Sequence, residues 1–179
     1  MKITVDPKMK ISKAKISDVA ELNTLVNSAY RGESSKIGWT TEADLLDGIR
    51  VDEERLKEFI EKKDSMILKY TDNENRIICC VHLEKHGYKL YLGMLTVSPE
   101  LQGMGIGKAM MKEAEVQAKA VNCSAVYMSV ITDRSVLVNW YIKHGYKNTG
   151  VKKPFPSHDK RFGIPKKPLE FILLEKSIL

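Results

Sequence analysis

The segment Leu95-Thr96-Val97-Ser98-Pro99-Glu100-Leu101-Gln102-Gly103-Met104-Gly105-Ile106-Gly107-Lys108 carries the strongest chemical signal in the chain. An apolar run ends, glycines follow at alternate positions, and a helical pattern begins. Glycine lets a backbone turn through positive φ and approach a ligand closely. A helix start adds unpaired N–H groups and the positive end of a dipole. Together they form an anion site suited to a phosphate or pyrophosphate, with Lys108 available as a point charge. A tight turn without a ligand is the plainer alternative, yet three glycines in five residues exceed what a turn requires. A nucleoside-triphosphate loop needs G-x-x-x-x-G-K-[ST]. Here Gln102 takes the first glycine position and Ala109 follows the lysine. A dinucleotide turn needs G-x-G-x-x-G in an early βαβ unit. Counted from Gly103 or Gly105, the third glycine falls on Lys108 or Met110.

The elements that must hold this turn follow from periodicity. Met9 to Lys15 alternates as a first strand, and Ser17 is the expected N-cap of a helix whose stripe is Val19, Leu22, Leu25, Val26 and Ala29. Arg31 to Thr41, with Gly32, Gly38 and its serines, reads as a loop. Thr41, Glu42 and Asp44 are expected to open a short second helix through Leu45 and Leu46, and Asp52 to Lys63 a further helical piece. The period then changes to strands at Ser65 to Tyr70, Arg76 to Glu84 and Lys89 to Val97. They are separated by hairpin signals at Asp72-Asn73-Glu74-Asn75 and His86-Gly87. A helix from Ile106 to Val121, a strand from Ala125 to Ile131, a short helix from Arg134 to His144 and a strand from Gly145 follow. Pro154 to Pro168 holds four of the six prolines and reads as an irregular loop, and Leu169 to Glu175 closes the sheet. The order β-α-α-β-β-β-α-β-α-β-β mixes hairpins with crossovers, which predicts one mixed sheet flanked by helices.

At 179 residues, 43% hydrophobic and 29% charged, the chain is expected to form a single domain over 1–179 with its core at about 9–176. No apolar run approaches the ~20 residues that span a bilayer. The N-terminal residues lack a secretory signal, so a cytoplasmic protein is expected. Cys79, Cys80 and Cys123 fit buried reduced thiols and no zinc spacing, and no metal is expected. The net charge of +6 favours an anionic ligand. It is spread along the chain, with no basic stripe interleaved with aromatics, so neither nucleic acid nor membrane is expected as a partner.

With these residues in view, the sequence resembles the GNAT superfamily of acetyl-CoA-dependent N-acetyltransferases. The family signature [RQ]-x-x-G-x-[GA] appears as Gln102-x-x-Gly105-x-Gly107, preceded by the family-like Leu95-Thr96-Val97-Ser98-Pro99. The resemblance covers roughly Met9 to Lys176 and is strongest from Leu90 to Tyr146. It implies an α/β (α+β) fold: a single, largely antiparallel mixed sheet splayed at a cofactor cleft. It further implies that the amides of Gln102, Gly103, Met104, Gly105, Ile106, Gly107 and Lys108 cradle the pyrophosphate of acetyl-CoA as co-substrate. Leu95, Thr96 and Val97 would receive the pantetheine arm like an added strand. Downstream, the family helix N-x-x-A-x-x-[LF]-Y-x-x-x-G-[FY] is matched at Tyr141, Gly145 and Tyr146. Arg134 stands where Asn is common and Leu137 where Ala is common; Arg134 is kept as a phosphate contact.

The reaction so implied moves an acetyl group from a thioester to a primary amine in a ternary complex. By its match, Tyr141 is the general acid. A base must help, because deprotonating a lysine-like amine at pH 7 costs about 4–5 kcal/mol. His82 and Glu84, two apart on the neighbouring strand and so on one face, are the base candidates, with Glu33 and Asp44 behind them. Backbone N–H groups near Leu95 to Val97 would serve as oxyanion donors. Acceptor recognition is expected on Tyr30 to Arg50 and Pro154 to Gly163. There Tyr30, Arg31, Trp39 and Phe155 offer aromatic and cationic surface, and Glu33, Glu42, Asp44 and Asp47 offer negative charge. The acceptor stays open between a small molecule and a protein amine, and the sequence is compatible with a homodimer. A non-catalytic acyl-CoA-binding or sensing module on the same fold is the alternative. The cysteines show no neighbouring base, which argues against an acyl-cysteine relay.

Overall fold

In the computed structural model, which describes residues 10–179, the chain builds a seven-stranded sheet with helices on both faces. The elements in chain order are β1 (Lys10–Lys13), α1 (Val19–Tyr30), α2 (Gly32–Ser35), β2 (Leu46–Asp47), α3 (Glu53–Glu61), β3 (Ser65–Thr71) and β4 (Ile77–His86). They continue with β5 (Lys89–Val97), α4 (Ile106–Ala120), β6 (Ala125–Ile131), α5 (Ser135–Lys143), β7 (Lys147–Pro154), β8 (Ile164–Pro165) and β9 (Glu170–Ser177). The sheet order is β1-β3-β4-β5-β6-β9-β7, antiparallel except between β5 and β6. This is the mixed, largely antiparallel architecture expected.

Alternation along the strands sorts the core into two layers. Ile67, Ile77, Cys80 and Met94 pack under α1 and α3 with Val19, Leu22, Val26 and Leu56. Leu68, Cys79, Val81, Leu83, Leu90 and Leu92 pack under α4 with Ile106, Met110, Ala114 and Ala118. Cys79 and Cys80 therefore point into opposite layers, and all three thiols are free and buried.

Two features open the sheet. The parallel ladder of β5 with β6 covers only Lys89–Tyr91 against Ala125–Tyr127. Beyond it β6 stays paired to β9 through Ile131, whereas β5 follows β4, so the two diverge. A register shift between Cys80 and His82 marks a bulge in β5, where Met94 has φ of 54°. A non-glycine residue in that region is strained by about 1–3 kcal/mol. Burial of Met94, 4% exposed in the α1–α3 layer, holds it there. A Cβ on Gly93 beside it would lie 2.7 Å from the Tyr91 ring, so the ring would have to shift to admit a larger residue.

Several local expectations need correction. Ser17 does not cap α1: Ile16–Asp18 forms a 3-10 turn, and the Asp18 carboxylate accepts from the Lys15 N–H at 2.8 Å. The serine-rich segment contains the short helix α2. The helix expected from Thr41 stops after one turn. The Thr41 hydroxyl does accept from the Ala43 N–H at 3.0 Å, but Leu46–Asp47 then pairs with Ile164–Pro165. β9 lies between β6 and β7 and leaves β7 at the edge. Met9 and the N-terminal residues lie outside the described residues. Among the described residues no helix is long and apolar enough to cross a membrane.

Candidate active site

The turn after β5 positions the first cavity. A 3-10 turn at Pro99–Leu101 leads to Gly103 (φ 83°) and Gly105 (φ 85°), and Gly105 is the N-cap residue of α4 with no side-chain cap. The first N–H groups of that helix are thus left for a ligand. A Cβ built on Gly103 or Gly105 would meet nothing within 4 Å, so the cradle stands open. It floors a groove of about 360 Å³ lined by Leu95, Thr96, Val97, Gln102, Gly103, Gly105, Ile106, Gly107 and Lys108, with Trp140, Tyr141 and His144 opposite. Met104 is not on this wall; its side chain packs against the α4 core. The donor set and the open cradle fit a diphosphate.

Gln102 does something its motif did not reveal. Its Oε1 accepts from the N–H groups of Trp39 (2.6 Å) and Thr40 (3.4 Å), while Nε2 donates to the Val97 carbonyl at 3.2 Å. The side chain thereby pins the loop after α2 to the end of β5. Trp39, expected on the acceptor side, packs on Trp140 with ring centroids 6.0 Å apart and lines the first groove. The Leu95 carbonyl accepts from the Tyr30 hydroxyl at 2.8 Å. The Leu95 and Val97 carbonyls are thus each engaged by a side-chain donor.

Where β5 and β6 part, a second cavity of about 200 Å³ lies between them, and Tyr30, Leu95, Arg134, Leu137 and Tyr141 line both spaces. Tyr141 is 6% exposed at this junction. Burial pushes its phenol far above its ordinary range, with the Tyr30 hydroxyl adding and Arg134 opposing. It keeps its proton at neutral pH. Arg134, expected as a phosphate contact, lines both cavities and is paired within the fold. Its guanidinium donates to Glu42 at 2.8 Å and to Thr40 at 3.0 Å, and the same carboxylate pairs with Arg31. Phe155 lines the second cavity, its ring tilted against that of Phe171 with centroids 5.3 Å apart.

The base candidates sit around a third cavity of about 360 Å³ that shares Arg50, Tyr91, Gly93, Met94, Ser129 and Phe162 with the second. His82 is 4% exposed, stacked on Phe59 at 3.8 Å, with Nε2 2.9 Å from the Ser65 hydroxyl. Burial pulls its pKa down to about 4, against the pull of Glu84 and with Arg50, Arg55 and Lys62 assisting. Burial also works against ionising Glu84, but hydrogen bonds from Lys62 (2.6 Å) and His86 (2.9 Å) hold it below its ordinary value. The other ring nitrogen of His86 is 2.5 Å from the Tyr127 hydroxyl. Glu84, His86 and Tyr127 thus form a hydrogen-bonded chain beside His82.

A sequence model described as the acetyltransferase (GNAT) family matches residues 20–146. The chain belongs to the GNAT acetyltransferase family. No curated protein matches it in sequence. Among solved structures, an N-acetyltransferase from Staphylococcus aureus superposes with a TM-score of 0.71 at 14% identity, over 96% of this chain and 99% of that one. A GNAT-family acetyltransferase from Streptococcus pneumoniae gives 0.66 at 19% identity over 95% and 99%. A Bacillus anthracis acetyltransferase in complex with acetyl coenzyme A gives 0.57 at 20% identity over 68% and 66%. At these identities the likeness is one of fold.

Within this GNAT fold, three assigned residues fall away from the cavities. Glu33 is exposed on α2 and paired with Lys36 at 2.8 Å, on a separate outer hollow with Asp47, and Asp44 is exposed. Sequence reasoning missed His86 and Tyr127, and reached Arg50 only as the end of the acceptor segment. His86 was legible, since it continues the one-face alternation of His82 and Glu84. It was hidden by its place in a hairpin signal, and β4 in fact runs through it. Tyr127 and Arg50 gave no local signal; register and the chain path after β2 bring them in.

Proposed function

We propose that the protein transfers an acetyl group from acetyl-CoA to a primary amine, directly and in a ternary complex. The observation that carries this is the continuity of the uncapped α4 cradle with a groove ending at Tyr141, where the sheet opens into a second cavity. Bound along Leu95–Val97 and the amides of the glycine turn, acetyl-CoA supplies an acetyl thioester. Tyr141 holds a proton on Oη, where a departing thiolate needs one. A neutral His82 and the Glu84–His86–Tyr127 chain line the cavity next door and offer acceptors for the proton an amine must shed. Cys80, its thiol pushed up to about 12 by burial, supplies no thiolate, which favours direct transfer over an acyl-enzyme. Reduced buried cysteines also suit a cytoplasmic setting.

Calorimetry with coenzyme A and acetyl-CoA tests the groove, and thiol release across an amine panel tests the chemistry. Tyr141→Phe should lower kcat by about ten- to a hundredfold with cofactor affinity little changed. Unchanged turnover would remove Tyr141 from the mechanism. Tight acetyl-CoA binding with no turnover on any amine would favour a non-catalytic sensor.

A further inference from the structure

The second cavity has an unbalanced charge. Its wall holds Arg31, Arg50 and Arg134 against a single carboxylate, Glu42, so three positive charges less one negative leave two in excess. Glu42 is fully used: one oxygen meets Arg31 and the other Arg134. The Nε atoms of Arg31 and Arg134, side chains 6% and 9% exposed, are buried without a hydrogen-bond partner. The third arginine, Arg50, forms no ion pair or side-chain hydrogen bond among the described residues and rests over the Tyr30 ring at 5.2 Å. It lines both the second and third cavities, between Tyr141 and the His82–Glu84 pair. The rest of the second cavity is aromatic and aliphatic, with Tyr91, Met94, Phe155, Phe162 and Phe171.

A cation in a partly apolar pocket is stabilised by an anion and repels a second cation. Guanidinium is also the group best shaped to receive a carboxylate through two parallel hydrogen bonds. Were the acceptor a polyamine or a lysine-rich segment, its charge would meet Arg50 inside the second cavity, whereas Asp52, Glu54, Glu58 and Glu84 stand along the third. A space of about 200 Å³ suits a small molecule rather than a folded partner.

We infer that the acceptor is a small amino acid with an apolar or aromatic side chain, and that Arg50 receives its carboxylate. This deepens the acetyl-transfer reading and rests on it. The amine is then the group left to face the junction with Tyr141, while the aromatic wall takes the side chain. A peptide N-terminus lacks the adjacent carboxylate and does not satisfy Arg50.

Matched amines test this: L-phenylalanine with phenethylamine, L-tyrosine with tyramine, L-histidine with histamine, and L-leucine with isopentylamine. Each is titrated calorimetrically into the protein with and without coenzyme A, and each is assayed for thiol release from acetyl-CoA. At least one carboxylated member is expected to bind, and its kcat/KM to exceed that of its decarboxylated partner at least tenfold. Arg50→Gln should raise KM for that amino acid about tenfold and bring the pair within threefold, leaving coenzyme A affinity and Tm in place; Arg50→Lys should restore part of the gap. The inference is overturned by equal or tighter binding of the decarboxylated members, by no binding across either series, or by discrimination that survives Arg50→Gln. Failure of acetyl transfer itself reads separately, as no heat with coenzyme A. The titrations without coenzyme A report the carboxylate preference in that event too.

Discussion

His82 shows what burial does to one side chain. In the unfolded chain its ring titrates near 6.5; in the fold it titrates near 4. The native state thus binds a proton less readily than the unfolded state. Stability from this residue is complete above pH 6.5 and is lost as the pH falls from there toward 4. The difference amounts to about 3 kcal/mol over the whole window and about 2 kcal/mol by pH 5. Denaturant unfolding at pH 7 and pH 5 should show that loss, and His82→Gln should remove most of it. An unaltered pH slope in the variant would mean that another group is responsible. The thiols give a second measurement at this scale. Cys79, Cys80 and Cys123 are buried, and burial drives the first two far from ionisation. A neutral-pH thiol reagent should leave the native protein unlabelled and modify three positions after denaturation.

At the scale of elements, the turn before α4 depends on backbone conformation more than on space. Gly105 stands at φ of 85°, and a methyl group there would touch nothing. Gly105→Ala should therefore cost about 1–2 kcal/mol through the left-handed conformation alone. Affinity for coenzyme A, read by calorimetry, should fall with it as the cradle deforms. A variant that bound coenzyme A as tightly as the parent would show that these amides do not hold the ligand. The bulge in β5 is built differently, around a residue that dislikes its own conformation. Met94 keeps φ positive because its side chain is buried beneath α1 and α3. The opening of the sheet is thus maintained from the layer behind it.

Across the whole molecule, Glu42 joins the loop after α2 to Arg31 at the end of α1 and to Arg134 at the head of α5. Arg31 also donates to the Phe162 carbonyl at 3.1 Å, which brings in the segment before β8. Removing one partner of such a buried set leaves uncompensated charge and costs about 3–5 kcal/mol. Glu42→Ala should lower Tm by about 10 °C in a chain of this size, a shift that scanning calorimetry resolves. A change of only a degree or two would mean that water reaches the two guanidinium groups and solvates them.

Much of this molecule could be read along the chain. The hairpins from Ser65 to Val97, the helix after the glycine turn and the cradle itself are local in origin. They arise from side-chain alternation, helical spacing and the conformational freedom of glycine, none of which needs a distant residue. Even the shared face of His82 and Glu84 follows from a period of two. The site's other half has no such local cause. Gln102 bracing residues 39 and 40, Arg134 turning to Glu42, and Tyr127 meeting His86 all join positions dozens of residues apart. Only the strand order and the parting of β5 from β6 bring them together, because desolvation and ion pairing depend on what surrounds a group in space. The unpaired charge of Arg50 is of the same kind: a surplus that exists only once the cavity has closed around it.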